Sequence, residues 1–169
     1  MIILTQRLPP DHQFKANAVL PLTAEERTRS RYRYCFPKED IVERYDQSFV
    51  DNLLRIFEAD ATEHHIYLQL PRGTYLQHGD FLRSDTGEIL IRVVARPEAV
   101  MTVSADTPLK LLQAAYHLGN RHVPLEVAED YLRLSPDPVL KSMLEEQLQV
   151  HVLEEIQPFY PESGAYHPH

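Results

Sequence analysis

Asp106-Thr107-Pro108-Leu109-Lys110-Leu111-Leu112-Gln113-Ala114-Ala115-Tyr116-His117-Leu118-Gly119-Asn120-Arg121-His122 is the run from which the carboxy-terminal half of the chain can be read. It predicts a helix with both ends specified. Asp106-Thr107 offers a capping oxygen, and Pro108 follows at the first helical position, where its missing N–H leaves nothing unsatisfied. Leu111, Leu112, Ala115 and Leu118 recur at helical spacing, an apolar stripe for a core. Gly119 is the expected left-handed stop. His117 falls with Lys110 and Gln113 towards the polar side, and His122 lies just beyond the helix end.

Working outward, Glu98–Val103 reads as a strand before this helix. Leu125–Val127 and Leu132–Leu134 alternate apolar with polar residues after it, joined by a turn near Glu129-Asp130. Asp137-Pro138 starts a second helix whose stripe is Leu140, Met143, Leu144 and Leu148, and Val150–Ile156 is a last strand. The order βαββαβ predicts a ferredoxin-like domain, two helices on one face of an antiparallel sheet, over 96–158. From residue 159 to 169 no hydrophobic period remains, so a flexible, His-containing tail is expected.

The first half, 1–95, reads as a small all-β domain. Ile2–Thr5, Val19–Thr23, Arg31–Phe36, Ile66–Leu70 and Ile89–Val94 are short strand candidates. They are separated by turn signals such as Pro71-Arg72-Gly73 and Asp85-Thr86-Gly87. Tyr32, Tyr34 and Phe36 are expected on one face. Between Pro37 and Glu63, the spacing of Phe49, Val50, Leu53, Leu54 and Phe57 allows a short helix. The fold class expected is therefore α+β.

The formal charge of −8 repels phosphate backbones, and Arg27–Tyr34 alternates like a solvated strand face, so no nucleic-acid partner is expected. A divalent cation is compatible with that charge. Cys35 is the sole cysteine, which excludes an intrachain disulfide and a cysteine-cage zinc site. No signal-peptide or membrane-spanning run is found, so the expected compartment is the cytoplasm, with no membrane partner.

Tyr116-His117-Leu118-Gly119-Asn120-Arg121-His122-Val123-Pro124-Leu125 resembles the hallmark of the UreE-type urease accessory proteins, a family of nickel metallochaperones. Leu22-Thr23-Ala24-Glu25-Glu26-Arg27, Leu70-Pro71-Arg72-Gly73-Thr74, Pro158-Phe159 and Gly164-Ala165-Tyr166-His167 resemble the family too. The resemblance implies the same ferredoxin-like fold, a protein-docking role for the amino-terminal domain, and a brief hairpin where this chain has 37–63, which departs from the pattern.

The resemblance also implies that His122 is a metal ligand at a dimer interface. Nickel(II) accepts imidazole readily, but one histidine holds it poorly. A two-fold axis presents His122 twice, and His167 and His169 could fold over to complete the shell. Nickel is then cargo for apo-urease, handled by a homodimer, or a metal-linked tetramer, working with the urease accessory GTPase. Zn(II) or Cu(II) could occupy the same site. His117 could assist only if the helix breaks at Gly119.

His12, His64, His65, His78 and His151 read as turn or strand-surface residues. His64 and His65 point to opposite faces if they lie in a strand. The alternatives are a general divalent-metal or metal-responsive protein, a metal-dependent hydrolase and an RNA-binding module. The hydrolase lacks His-Glu-x-x-His, Gly-x-Ser-x-Gly and a phosphate loop, and an RNA surface would need aromatics and positive charge on the sheet. No catalytic residues are expected.

Overall fold

A computed structural model describes residues 1–37, 51 and 63–162. The helix expected within 37–63 lies outside the described residues, as do His167 and His169. The fold is mixed α+β, mostly strands with few helices. It divides into two compact units, Met1–Ala95 and Arg96–His169.

The first unit contains β1 (Ile2–Leu8), β2 (Ala18–Leu22), α1 (Ala24–Arg27), β3 (Arg31–Pro37), β4 (Glu63–Gln69), β5 (Phe81–Ser84) and β6 (Leu90–Ala95). They form one sheet in the order β2-β6-β5-β1-β4-β3, in which β1–β4 and β2–β6 are parallel. Leu4, Leu20, Ile66, Leu68, Leu82, Ile91 and Val93 alternate into a common core. Each contributes about 1.5–3 kcal/mol relative to exposure.

Arg31–Pro37 pairs antiparallel with Glu63–Gln69, so β4 starts three residues earlier than the apolar pattern of Ile66, Leu68 and Leu70 indicates. Cross-strand partners extend it, Phe36 opposite His64 and Cys35 opposite His65. Tyr34 is buried with its ring 4.8 Å from that of Tyr32. Thr23 caps α1 in a capping box: its hydroxyl accepts from the Glu26 amide, and the Glu26 carboxylate accepts from the Thr23 amide.

At the end of this unit the Ala95 amide donates to His78 Nδ1 at 3.1 Å. Partial burial, then the charges of Arg92 and Arg27, lower the His78 pKa below its ordinary value. A folded-state value below the unfolded one means that unfolding takes up a proton. The stabilisation is therefore complete above the unfolded pKa near 6.5 and is lost as pH falls through the lower folded value. The ring is only partly covered, so the effect is modest. Urea midpoints should fall between pH 7.5 and pH 5, and His78→Gln should flatten that slope.

The second unit contains β7 (Pro97–Ser104), α2 (Pro108–Gly119), β8 (Glu126–Val127), β9 (Leu132–Leu134), α3 (Pro138–Ser142) and β10 (His151–Pro158). All its strand pairs are antiparallel, in the order β10-β7-β9-β8. Thr107 caps α2, accepting from the Lys110 amide, and Asp137 caps α3, accepting from the Val139 and Leu140 amides. Past Ser142 the helix widens into a π-helical turn, Met143–Gln147, which ends at Gln149 with φ 53°. Met143 and Leu144 are buried, with Leu140 and Leu148 packed beside them.

Three expectations need correction here. Leu112 is not in the core: Leu111, Ala114 and Leu118 are the buried residues of α2, and Leu112 is 67% exposed. Glu126 is not the outward residue of its strand: it is buried, whereas Val127 is half exposed. The chain after Pro158 is not loose at once. Phe159 is only 1% exposed, and the Tyr160 and Glu162 amides are hydrogen-bonded.

Candidate metal centre

The end of α2 differs from the expected glycine stop. Gly119 keeps a helical backbone, and the left-handed residue is His122, with φ 55°. The His122 amide donates to the Gly119 carbonyl at 2.9 Å, and the Val123 amide reaches back to the Leu118 carbonyl at 3.3 Å. This 5→2 and 6→1 pair is the Schellman arrangement, with His122 in the place usually held by glycine. Val123 packs on the cluster that contains Leu118, supplying the apolar contact that accompanies the motif. The turn is held further by Arg121, whose Nη1 donates to the His117 carbonyl at 2.8 Å.

His122 is therefore fixed in backbone direction while its side chain is exposed. His117, half-buried, has its ring against that of Tyr116, 5.5 Å between centroids in an edge-to-face arrangement. His151 is on the strand surface, as expected, its Nε2 2.9 Å from Asp106 Oδ1. That contact, chiefly its hydrogen bond, lowers the Asp106 pKa.

One face of α2 remains apolar and exposed: Leu109 at 64%, Leu112 at 67% and Tyr116 at 66%. At about 100° per residue these three lie nearly opposite Leu111, Ala114 and Leu118. The helix thus carries two apolar stripes, one on the sheet and one facing outward, and the outward one leads towards His122. A single periodic pattern merges the two, since Leu111 and Leu112 are adjacent. Separating them requires knowing that Ala114 marks the core side.

The same unit holds a polar cluster, on β8 and β9, that strand alternation concealed. Arg133 donates from Nη1 to Glu126 Oε1 at 3.2 Å, from Nε to Thr102 Oγ1 at 3.1 Å, and from Nη1 to the Pro158 carbonyl at 3.3 Å. The Tyr131 hydroxyl donates to Glu126 Oε1 at 2.9 Å, and that contact, with burial, raises the Tyr131 pKa. The other Glu126 oxygen accepts the Tyr160 amide at 2.9 Å. The opposed positions of Glu126 and Arg133 in neighbouring strands were the available signal.

Among the described residues no three His, Cys, Asp or Glu side chains converge in a way that could hold a metal ion. Among the described residues no helix is long and apolar enough to cross a membrane.

The model of the UreE urease accessory protein C-terminal domain matches residues 98–169. A urease accessory protein UreE of Nostoc punctiforme is 48% identical over 169 residues, covering 100% of this chain and 97% of the relative. One from Microcystis aeruginosa is 48% identical over 172 residues, covering 98% and 92%. Another, from Thermosynechococcus vestitus, is 44% identical over 169 residues and covers both chains completely. These are accessory proteins, not enzymes. With full-length identity of this order beside the domain match, the chain belongs to the UreE family of urease accessory proteins.

Proposed function

We propose that this chain is a nickel metallochaperone in urease maturation: a homodimer that holds Ni(II) between its subunits and delivers it to apo-urease. The observation that carries the reading is His122, exposed on a rigid helix end beside the outward stripe Leu109, Leu112 and Tyr116. An apolar stripe of this kind suits burial against a second copy, and an isologous contact there would bring two His122 rings towards one axis. Imidazole is a fitting donor for nickel. His167 and His169 would complete the shell, and zinc or copper could compete for it.

The reading extends to the domains. The element order βαββαβ and the strand order β10-β7-β9-β8 support a ferredoxin-like metal-binding and dimerisation domain. The amino-terminal unit would serve as the docking module for the urease accessory GTPase and the apo-urease complex, in the cytoplasm.

Nickel titration of the purified chain, with its mass measured in parallel by sedimentation, tests this. About one tightly bound nickel per pair of chains is expected from a shared axial site. A monomer that binds one nickel per chain would count against it. A dimer that takes zinc or copper tightly but not nickel would favour the general divalent-metal reading.

A further inference from the structure

We propose that the cleft beside Phe81 on the amino-terminal sheet is a docking site for an acidic side chain of a partner protein, with Arg92 as its anchor. This rests on the reading of the amino-terminal unit as a docking module, and adds the place on that unit and the chemistry the partner must offer.

The cleft has a volume of about 230 Å³ and lies wholly within the first unit. Arg92 and Phe81 are directly opposed on β6 and β5, so their side chains leave the sheet on the same face. Phe14 meets Phe81 edge to face, with 5.3 Å between ring centroids, and the two rings make an apolar wall. The loop carrying Phe14 is held by its own turn: the Phe14 amide donates to the Asp11 carbonyl at 3.2 Å, and the Gln13 amide to Asp11 Oδ1 at 2.9 Å. Opposite, Gly79 at φ 90° donates its amide to the Val93 carbonyl at 2.8 Å. Pro10 lies against it, its Cγ 3.4 Å from where a Cβ would stand. The cleft is thus framed by paired strands and closed turns, which fixes its shape before any partner arrives.

Arg92 is exposed, and among the described residues its guanidinium has no carboxylate partner. Asp11 lines the same cleft without pairing to it, and Asp80, next to Gly79, is taken up by Arg7 at 2.6 Å. An open guanidinium beside aromatic rings is a fork for a carboxylate. Size and charge select among anions. The volume is below the roughly 300–1,000 Å³ of small-molecule sites, so it suits one side chain and not a nucleotide. Asp11 offsets part of the Arg92 charge, which disfavours a doubly charged phosphate and tolerates a single carboxylate. The occupant is therefore a Glu or Asp side chain, with an apolar neighbour set against Phe14.

The test uses the full chain, titrated calorimetrically with the urease accessory GTPase and, separately, with the apo-urease complex. Arg92→Glu should weaken binding of at least one of them about tenfold or more, since it sets like charges together. Arg92→Gln, which serves should the first variant fold poorly, and Phe14→Ala should each cost about fivefold. Arg31→Glu is the control. It makes the same charge change on β3, four strands away across the sheet, about 19 Å, which is beyond the screening length. It should alter binding less than twofold.

Equal weakening by Arg31→Glu would show that affinity follows net charge, and would overturn the cleft. So would unchanged binding of both partners by Arg92→Glu, which leaves the docking reading standing with its contact elsewhere. If the unsubstituted chain binds neither partner, the docking reading itself fails and the cleft falls with it. Inorganic phosphate is titrated into the chain alone while the amide signals of Arg92 and Phe14 are followed. Saturation below about 1 mM would make this a free-anion site and overturn the proposal, whereas no saturation is expected.

Discussion

His122→Gly is expected to weaken nickel binding on the order of 100-fold or more, and to raise the melting temperature of the metal-free protein. The two effects have separate causes. At a two-fold axis one substitution removes two imidazoles, and loss of partners merely hydrogen-bonded to metal ligands already costs about 10–100-fold. The stability change comes from the backbone. His122 sits at φ 55° in the left-handed position that closes α2, where an L-residue is about 1–2 kcal/mol worse than in right-handed geometry. Glycine removes that penalty at about 0.5–1 kcal/mol of extra chain entropy, a net gain of up to about 1.5 kcal/mol, or at most roughly 3–6 °C in a chain of this size. Calorimetric titration and thermal unfolding in chelator measure the pair. Loss of binding together with a lowered melting temperature would point to damage instead of ligand loss, and unchanged affinity would remove His122 from the site. A histidine retained where glycine fits better is what a ligand position is expected to look like.

The helix of this site was largely legible from its residues, and the reasons for the rest are physical. Pro108 and the Leu111–Leu118 spacing are local, and the structure keeps them. Gly119 misled because a glycine near a helix end is the usual stop, but nothing local counts how many more turns tertiary packing can hold. Val123 docking on the Leu118 cluster carried the end three residues further. Glu126 misled for a related reason. Alternation assigns faces by polarity, and a carboxylate can go inside once Arg133, Tyr131 and the Tyr160 amide surround it. Two of those partners lie five and seven residues away, but the third comes from beyond the last strand. The anchored tail was hidden by the same cause: Phe159 follows a proline in a stretch without period, and only a contact distant in sequence buries it. Five of the six amino-terminal strands were found with ends shifted by one to three residues, since pairing partners such as Cys35 and His65 set the ends; Phe81–Ser84, too short to show alternation between its turn signals, was missed.

On the proposed dimer through α2, Leu112→Asp is expected to leave the chain monomeric at micromolar concentration and without a shared nickel, with monomer stability unchanged to within about 0.5 kcal/mol. The side chain is 67% exposed within one chain, so the core of Leu111, Ala114 and Leu118 does not feel the change. In an isologous contact the substitution occurs twice, which either buries two carboxylates without partners or forces the faces apart. Like charges brought together across an interface cost several kcal/mol, enough to weaken association by roughly 100- to 1,000-fold. Nickel should then bind the monomer only through one His122 and whatever its own tail supplies. The control is Leu111→Asp on the core side, which should unfold the second unit outright, because it places a charge among Met101, Val103 and Leu134. Sedimentation and urea unfolding of both variants separate the stripes. A dimer that survives Leu112→Asp would overturn the outward face of α2 as the proposed subunit contact, and with it the pairing of two His122 rings across that axis.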